Sequence, residues 1–332
     1  MKARRTFLSL LVILTCATIF FIGCSSGGGS SPTPPKEIKE IYVGNGGDPT
    51  NSITVYSITA NGNTAPLRTI SGTNPAFNYM WNIAVDKKND EIIVTDFMDN
   101  AIKVFDRTDN GNIVPLRTIQ GVSTGLSTPA GVAVDTKHDE IFVSNYDGNS
   151  ITVYGRTDNG NVTPLRTIQG VSTELNKPED IAVDTINNEI ILTNYDDNSI
   201  IVFNRTDNGN VAPKRNISGA STDLDGPSGV ALDTENNQII VSNVKSASIT
   251  VYNRTDNGSA SPLRTIAGAA TGMTEVWSLA LDSVNDEIYV SNWSADSVTV
   301  YNRTDTGNVA PKRTIKGVST GLNGPGGIVV LP

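Results

Sequence analysis

Histidine and cysteine are almost missing from this chain. Its 332 residues hold one His and two Cys. A single His leaves no second His or Cys partner for a zinc site, and His138 lies in the turn TKHDE rather than in a variable loop, so a His-dependent triad is not expected. Cys16 and Cys24 both precede the repeats, so the rest of the chain can form no disulfide and must gain its stability from burial. Aromatic residues make up only 6% and Trp only three positions, which makes their placement informative. Basic residues number 25 against 34 acids, and the net charge of −9 argues against nucleic acid and anionic lipid as direct partners.

From residue 40 onward, one unit is written six times. Copies open at Glu40, Glu91, Glu140, Glu189, Gln238 and Glu287, first 51 and then 49 residues apart. One copy reads as a strand (EIFVSN), a second strand (SITVYG), an Asn-Gly turn, a third strand (PLRTI), a loop, and a fourth strand (GVAVD). Four short strands at a period of about 50 residues predict a β-propeller blade. Asn-Gly at 61–62, 110–111, 159–160, 208–209 and 257–258 predicts a tight hairpin. Pro115, Pro164, Pro213, Pro262 and Pro311 are expected to open the outer edge strand, where a missing N–H is tolerated.

The motifs GVAVD, IFVSN, ITVYGR and PLRTI resemble the NHL-type propeller repeat, over residues 39–332. Its register implies an all-β, six-bladed propeller of four-stranded blades. The chain enters at a second strand and ends on an inner strand, GIVVLP, so the C-terminal strand is expected to complete the N-terminal blade. The first 23 residues resemble a bacterial lipoprotein signal: Lys2, Arg4 and Arg5, an apolar core from Phe7 to Ile22, then Gly23-Cys24, with Phe21 where Leu is usual. An ordinary signal peptide or an uncleaved anchor is the alternative. The resemblance implies lipidation of Cys24, a flexible Gly/Ser/Pro tether over 24–38 and, with Ser25 rather than Asp after the Cys, outer-membrane attachment facing either the periplasm or the outside. Loss of the three basic residues leaves 22 against 34 acids.

The six copies do not vary evenly. Turns between the first and second strands are near copies (DKKNDE, DTKHDE, DTINNE), as are the Asn-Gly turns. Loops at the opposite end differ: TDFMDNA, SNYDGNS and SNWSADS after the second strand, NPAFNYMWN, LNKPED and MTEVWS before the inner strand. Function is expected where loops differ. That end carries the candidate ligand-binding aromatics Trp81, Trp277, Trp293, Phe97, Tyr146 and Tyr195. The Trp residues belong to blades 2 and 6, either side of a blade 1 that offers only small residues (Gly44, Gly46, Gly47, Gly324, Gly326, Gly327), which predicts a shallow gap at the seam. Rings packed between blades are the plain alternative.

Asn45, Asp96, Asn145, Asn194, Asn243 and Asn292 end the second strands. They are candidates either for a ring of oxygen ligands to a hard cation such as Ca²⁺ or for Asx caps of the following turn. Glu179 and Asp180, a unique acidic pair at the start of an inner strand, are weak candidates for a general base or metal ligand. Gluconolactonase-like propellers bind a divalent metal through Glu, Asn and Asp; only residue types, not a motif, are shared. Streptogramin-lyase-like propellers use a channel His that this chain lacks. The repeated Arg68, Arg117, Arg166, Arg215, Arg264 and Arg313 read as rim ion pairs. The leading expectation is a binding or protein-interaction module, needing no cofactor and engaging an envelope protein, an extracellular polymer or a small ligand. A metal-dependent lactonase and a purely structural envelope protein are the alternatives.

Overall fold

The computed structural model describes residues 39–47 and 51–331. The expected signal segment, Cys24 and the tether lie outside these residues. Among the described residues, no helix is long and apolar enough to cross a membrane.

Each unit folds as four antiparallel strands. In blade 3 these are Pro129–Asp135, Glu140–Asn145, Ser150–Gly155 and Arg166–Gln169, from axis to rim. Blades 2, 4, 5 and 6 repeat the pattern over 80–120, 178–217, 227–266 and 276–316. Blade 1 is composite. Its inner strand is Pro325–Leu331, paired antiparallel with Glu40–Asn45, with Tyr42 opposite Val329. The ring is thus closed by its two ends, as the register of the repeats implies, and no sheet edge is left at a seam.

The middle strands are apolar on both faces because neighbouring blades cover both. The buried apolar residues fall into six clusters, each spanning one pair of adjacent blades. Phe142 and Ile151 of blade 3, for example, pack with Ile190 and Phe203 of blade 4. Each such side chain contributes about 1.5–3 kcal/mol by leaving water.

Two local expectations are corrected. The Asn-Gly pair does not form a two-residue hairpin. Residues 156–165 form a longer excursion in which Gly160 alone takes a positive φ, +78°. It reaches the neighbouring blade, where Gly160 N donates to Thr118 O (2.7 Å) and Asn159 Oδ1 accepts from Thr118 N (3.0 Å). The Asn supplies the acceptor and the Gly the backbone angle, so the motif joins blades. At the closing seam Gly62 and Asn61 do the same to Thr314. The outer strand, moreover, begins at Arg166, two residues after Pro164, so the missing N–H falls just outside the ladder.

Five of the six rim arginines form ion pairs, and Arg264 instead donates to Gln238 Oε1 (3.0 Å). Arg117 binds Glu91 through two bonds (2.7 and 2.8 Å), and Arg156 of the next blade adds a third (3.2 Å). Glu140 and Glu189 are held the same way across their junctions. Hydrogen bonds from Arg313, then Lys312 and Tyr289, outweigh burial and hold Glu287 at about 2. His138 is explained by its turn. Its Nδ1 lies 2.7 Å from Asp135 Oδ2, where Asn89, Asn187, Asn236 and Asn285 meet the equivalent Asp in other blades.

Candidate functional site at the variable end

Every inner strand slips register near its start, as between Pro178 and Ile181 in blade 4. These β-bulges re-aim two residues per blade toward the axis. The pairs are Gly326-Gly327, Trp81-Asn82, Ala130-Gly131, Glu179-Asp180, Ser228-Gly229 and Trp277-Ser278, in blade order. In blades 2–6 a hydroxyl from the second strand secures the bulge to the next blade, while blade 1 has Gly44 at that position. Ser144 Oγ accepts from Gly131 N (2.8 Å) and donates to Glu179 O (2.5 Å).

Large and small residues alternate around this ring for a steric reason. A Cβ on Gly131, Gly229 or Gly327 would lie 2.6, 2.7 or 2.6 Å from the Cα of Asp180, Ser278 or Asn82. Only alternate blades can therefore carry a side chain at this level. Asn82, Asp180 and Ser278 form a septum across the channel, with Trp81, Glu179 and Trp277 one step above it.

The two acids of blade 4 accept hydrogen bonds from the Trp81-Asn82 pair of blade 2. Trp81 Nε1 donates to Glu179 Oε2 (2.9 Å), and Asn82 Nδ2 donates to Asp180 Oδ1 (2.8 Å). Asp180 also accepts from Ile181 N (2.8 Å) and Val230 N (3.0 Å). Glu179 is 3% exposed and Asp180 8%, and no described cation compensates either. Burial pushes Glu179 up to about 8, opposed by the Trp81 bond and reinforced by the charge of Asp180. Burial likewise pushes Asp180 up to about 7, opposed by its three donors. Between them lies a cavity of about 10 Å³, room for one water.

Above the acids the mouth is closed by aromatic rings. Trp81 stacks on Phe97 (4.7 Å between centroids) and meets Trp277 edge-on (4.9 Å). Phe97, Tyr146, Tyr195 and Trp277 continue the circuit at 6.1–6.4 Å. Trp293 and Tyr79 complete it on the blade 1 side. All seven are half-buried. The structure thus brings together all six aromatics singled out in the sequence. It adds Tyr79, whose only signal was the aromatic density of NPAFNYMWN. The expected gap at blade 1 is corrected: Trp293 lies across it, so a Cβ on Gly46 or Gly324 would come within 3.1 or 3.0 Å of the indole. Lys177 and Lys245 sit over the rings of Tyr146 and Tyr195, at 4.8 and 4.6 Å. Burial and then the negative field of Glu179 and Asp196 raise Tyr146 to about 12.

The polar ring is not drawn together. Asn45, Asp96, Asn145, Asn194, Asn243 and Asn292 are fully buried inside their own blades. An oxygen of each accepts a backbone N–H from the loop before the inner strand, such as Ser127 N to Asn145 (3.1 Å) and Thr274 N to Asn292 (3.1 Å). Their amides turn to the third strand, as Asn145 Nδ2 does to Thr152 Oγ1 (3.0 Å). In blade 2 Asp96 instead meets Lys103 (2.6 Å), a charged replacement of the Asn–Thr pair. Among the described residues, no group of three or more His, Cys, Asp or Glu is placed to hold a metal ion.

Comparison with known proteins adds fold more than chemistry. The family model described as "Lactonase, 7-bladed beta-propeller" matches residues 83–219, less than half of a chain that forms six blades. A chain in the "Crystal structure of Nidogen/Laminin Complex" is similar over 89% of this chain and 98% of that one, with a TM-score of 0.63 and 13% identity. At that identity the likeness concerns the fold alone. No curated protein matches.

Proposed function

We propose that the protein is a binding module whose contact surface is the aromatic mouth at the variable end. One observation carries this: seven half-buried rings from several blades meet at the end where the loops differ. Large amphipathic rings supply contact area at little entropic cost and dominate interface energetics. Partners of matching chemistry are an envelope protein, an extracellular polymer or a small ligand. We place the module on the outer membrane through lipidated Cys24 and its tether; loss of fatty-acid labelling in Cys24→Ser tests that part.

All three Trp residues lie in the mouth, so intrinsic fluorescence reports on it alone. Titration with defined oligosaccharides and peptides should shift the emission for a true ligand. Trp277→Ala should then weaken binding about tenfold or more, about 1.4 kcal/mol. Undiminished binding by a folded Trp277→Ala protein would remove the mouth from the reading.

A second reading rests on the lactonase-family match, which spans Glu179 and Asp180. A buried carboxyl near 8 suits a general acid or base at neutral pH. It requires the aromatic lid to open, because the cavity beneath holds only one water. Turnover of chromogenic lactones or esters, abolished in Glu179→Gln, supports it; background rates leave the binding reading alone. If a divalent metal such as calcium takes part, a chelator should lower the melting temperature.

A further inference from the structure

Below the septum the channel is hollow. Its wall is built from small residues of the inner strands: Ala84, Ala133, Ala231, Ala280 and Val329 line it, and Ala182 holds the equivalent place in the inner strand of blade 4. Aliphatic Val85, Leu232 and Leu281 continue it toward the repetitive turns. The cavity measures about 270 Å³, the share of about nine waters. Asn82, Asp180 and Ser278 line its inner end, and the aromatic lid closes the axis above them. The channel is therefore blind, with aliphatic walls, a polar floor and access from the turn end. At that end Ile186 and Val284 are 76% and 67% exposed. Their turns do not need them, since Asp184 and Asp282 cap through backbone N–H groups and Asn187 or Asn285.

From this geometry we infer that the channel binds short aliphatic ammonium ions, with the ammonium on the floor beside Asp180 and the alkyl chain along the alanine ring. Walls without a polar side chain favour burial of a hydrocarbon chain. The floor selects the head group. Asp180 accepts three hydrogen bonds, while two carboxylate oxygens offer about four acceptor sites. It is a buried acid without a cation, and an ammonium completes the pair. A carboxylate head meets repulsion there, and an alcohol brings no charge. The site lies on the opposite side of the septum from the aromatic mouth and does not depend on that reading.

Calorimetric titration of the full chain in detergent with hexylamine, hexanol and hexanoate at neutral pH tests the inference. Hexylammonium should bind one to one, at least tenfold tighter than hexanol, with no binding of hexanoate. Ala133→Phe fills the channel and should abolish binding; Ala231→Leu serves if that protein does not fold. Asp180→Asn should erase the preference for amine over alcohol. Absence of binding, equal affinity for amine and alcohol, or undiminished binding by a folded Ala133→Phe protein would overturn it.

Discussion

The two ends of this propeller are built from the same strands and differ in nearly everything else. At the turn end, each inner strand of blades 2–6 finishes on a buried Asp that caps a tight turn, and variation is confined to solvent-facing positions such as Lys88, Ile186 and Val284. At the variable end, the starts of the six inner strands hold pairs as different as Trp-Asn, Glu-Asp and Gly-Gly, and the axis is closed by rings over two uncompensated acids. Where a residue serves the repeat, every blade needs it and the copies agree. Where it serves the axis, six blades share one space, and the ring geometry itself forces them to differ.

The largest test of this contrast concerns the element common to both ends. Deletion of 325–332 removes the inner strand of blade 1 and exposes the strand Glu40–Asn45 and a septum glycine's partners. The truncated protein should aggregate or lose its cooperative melt; melting at the parent temperature would break the closure argument. Gly131→Ala comes next. Its Cβ meets backbone of blade 4 rather than a flexible side chain, so destabilisation of about 1–3 kcal/mol is expected from denaturant midpoints.

The acids give a pH test with a defined sign. Glu179 and Asp180 are raised in the fold, to about 8 and about 7. Their protonated forms are favoured when folded, so their contribution is full below the unfolded values and lost as pH climbs through the folded ones. Glu287 is held at about 2, so its contribution is full above the unfolded value and lost as pH falls through 2. Thermal melts of the parent should fall between pH 5 and pH 8, and Glu179→Gln should flatten that slope while leaving the acid limb unchanged. The smallest effect is expected at the turn end. His138→Asn restores the residue of the sister turns and should stay within about 0.5 kcal/mol.

The fold was legible because repetition averages out local ambiguity. A period of 49 residues with alternating strands and an orphan inner strand at the C-terminus leaves little besides a six-bladed closed ring. The aromatic mouth was legible as a set of residues but not as a lid, since nothing local says that Trp293 crosses the glycines of blade 1. The role of Asn-Gly was misread because its partner, Thr118 for Gly160, lies in another blade. The septum left a signal that went unused. The pairs WN, AG, ED, SG, WS and GG alternate large and small around the ring, and the reason appears only when neighbouring Cα atoms are seen to be in contact.

The central contention is that the variable end, not the turn end, meets the macromolecular partner. Photo-cross-linking in cells can decide it, with a benzophenone side chain placed at Met98 beside the aromatic mouth or at Val284 on a turn, both well exposed. Macromolecular adducts should form from Met98 and not from Val284. Adducts from Val284 alone would contradict the assignment and move the working face to the repetitive end.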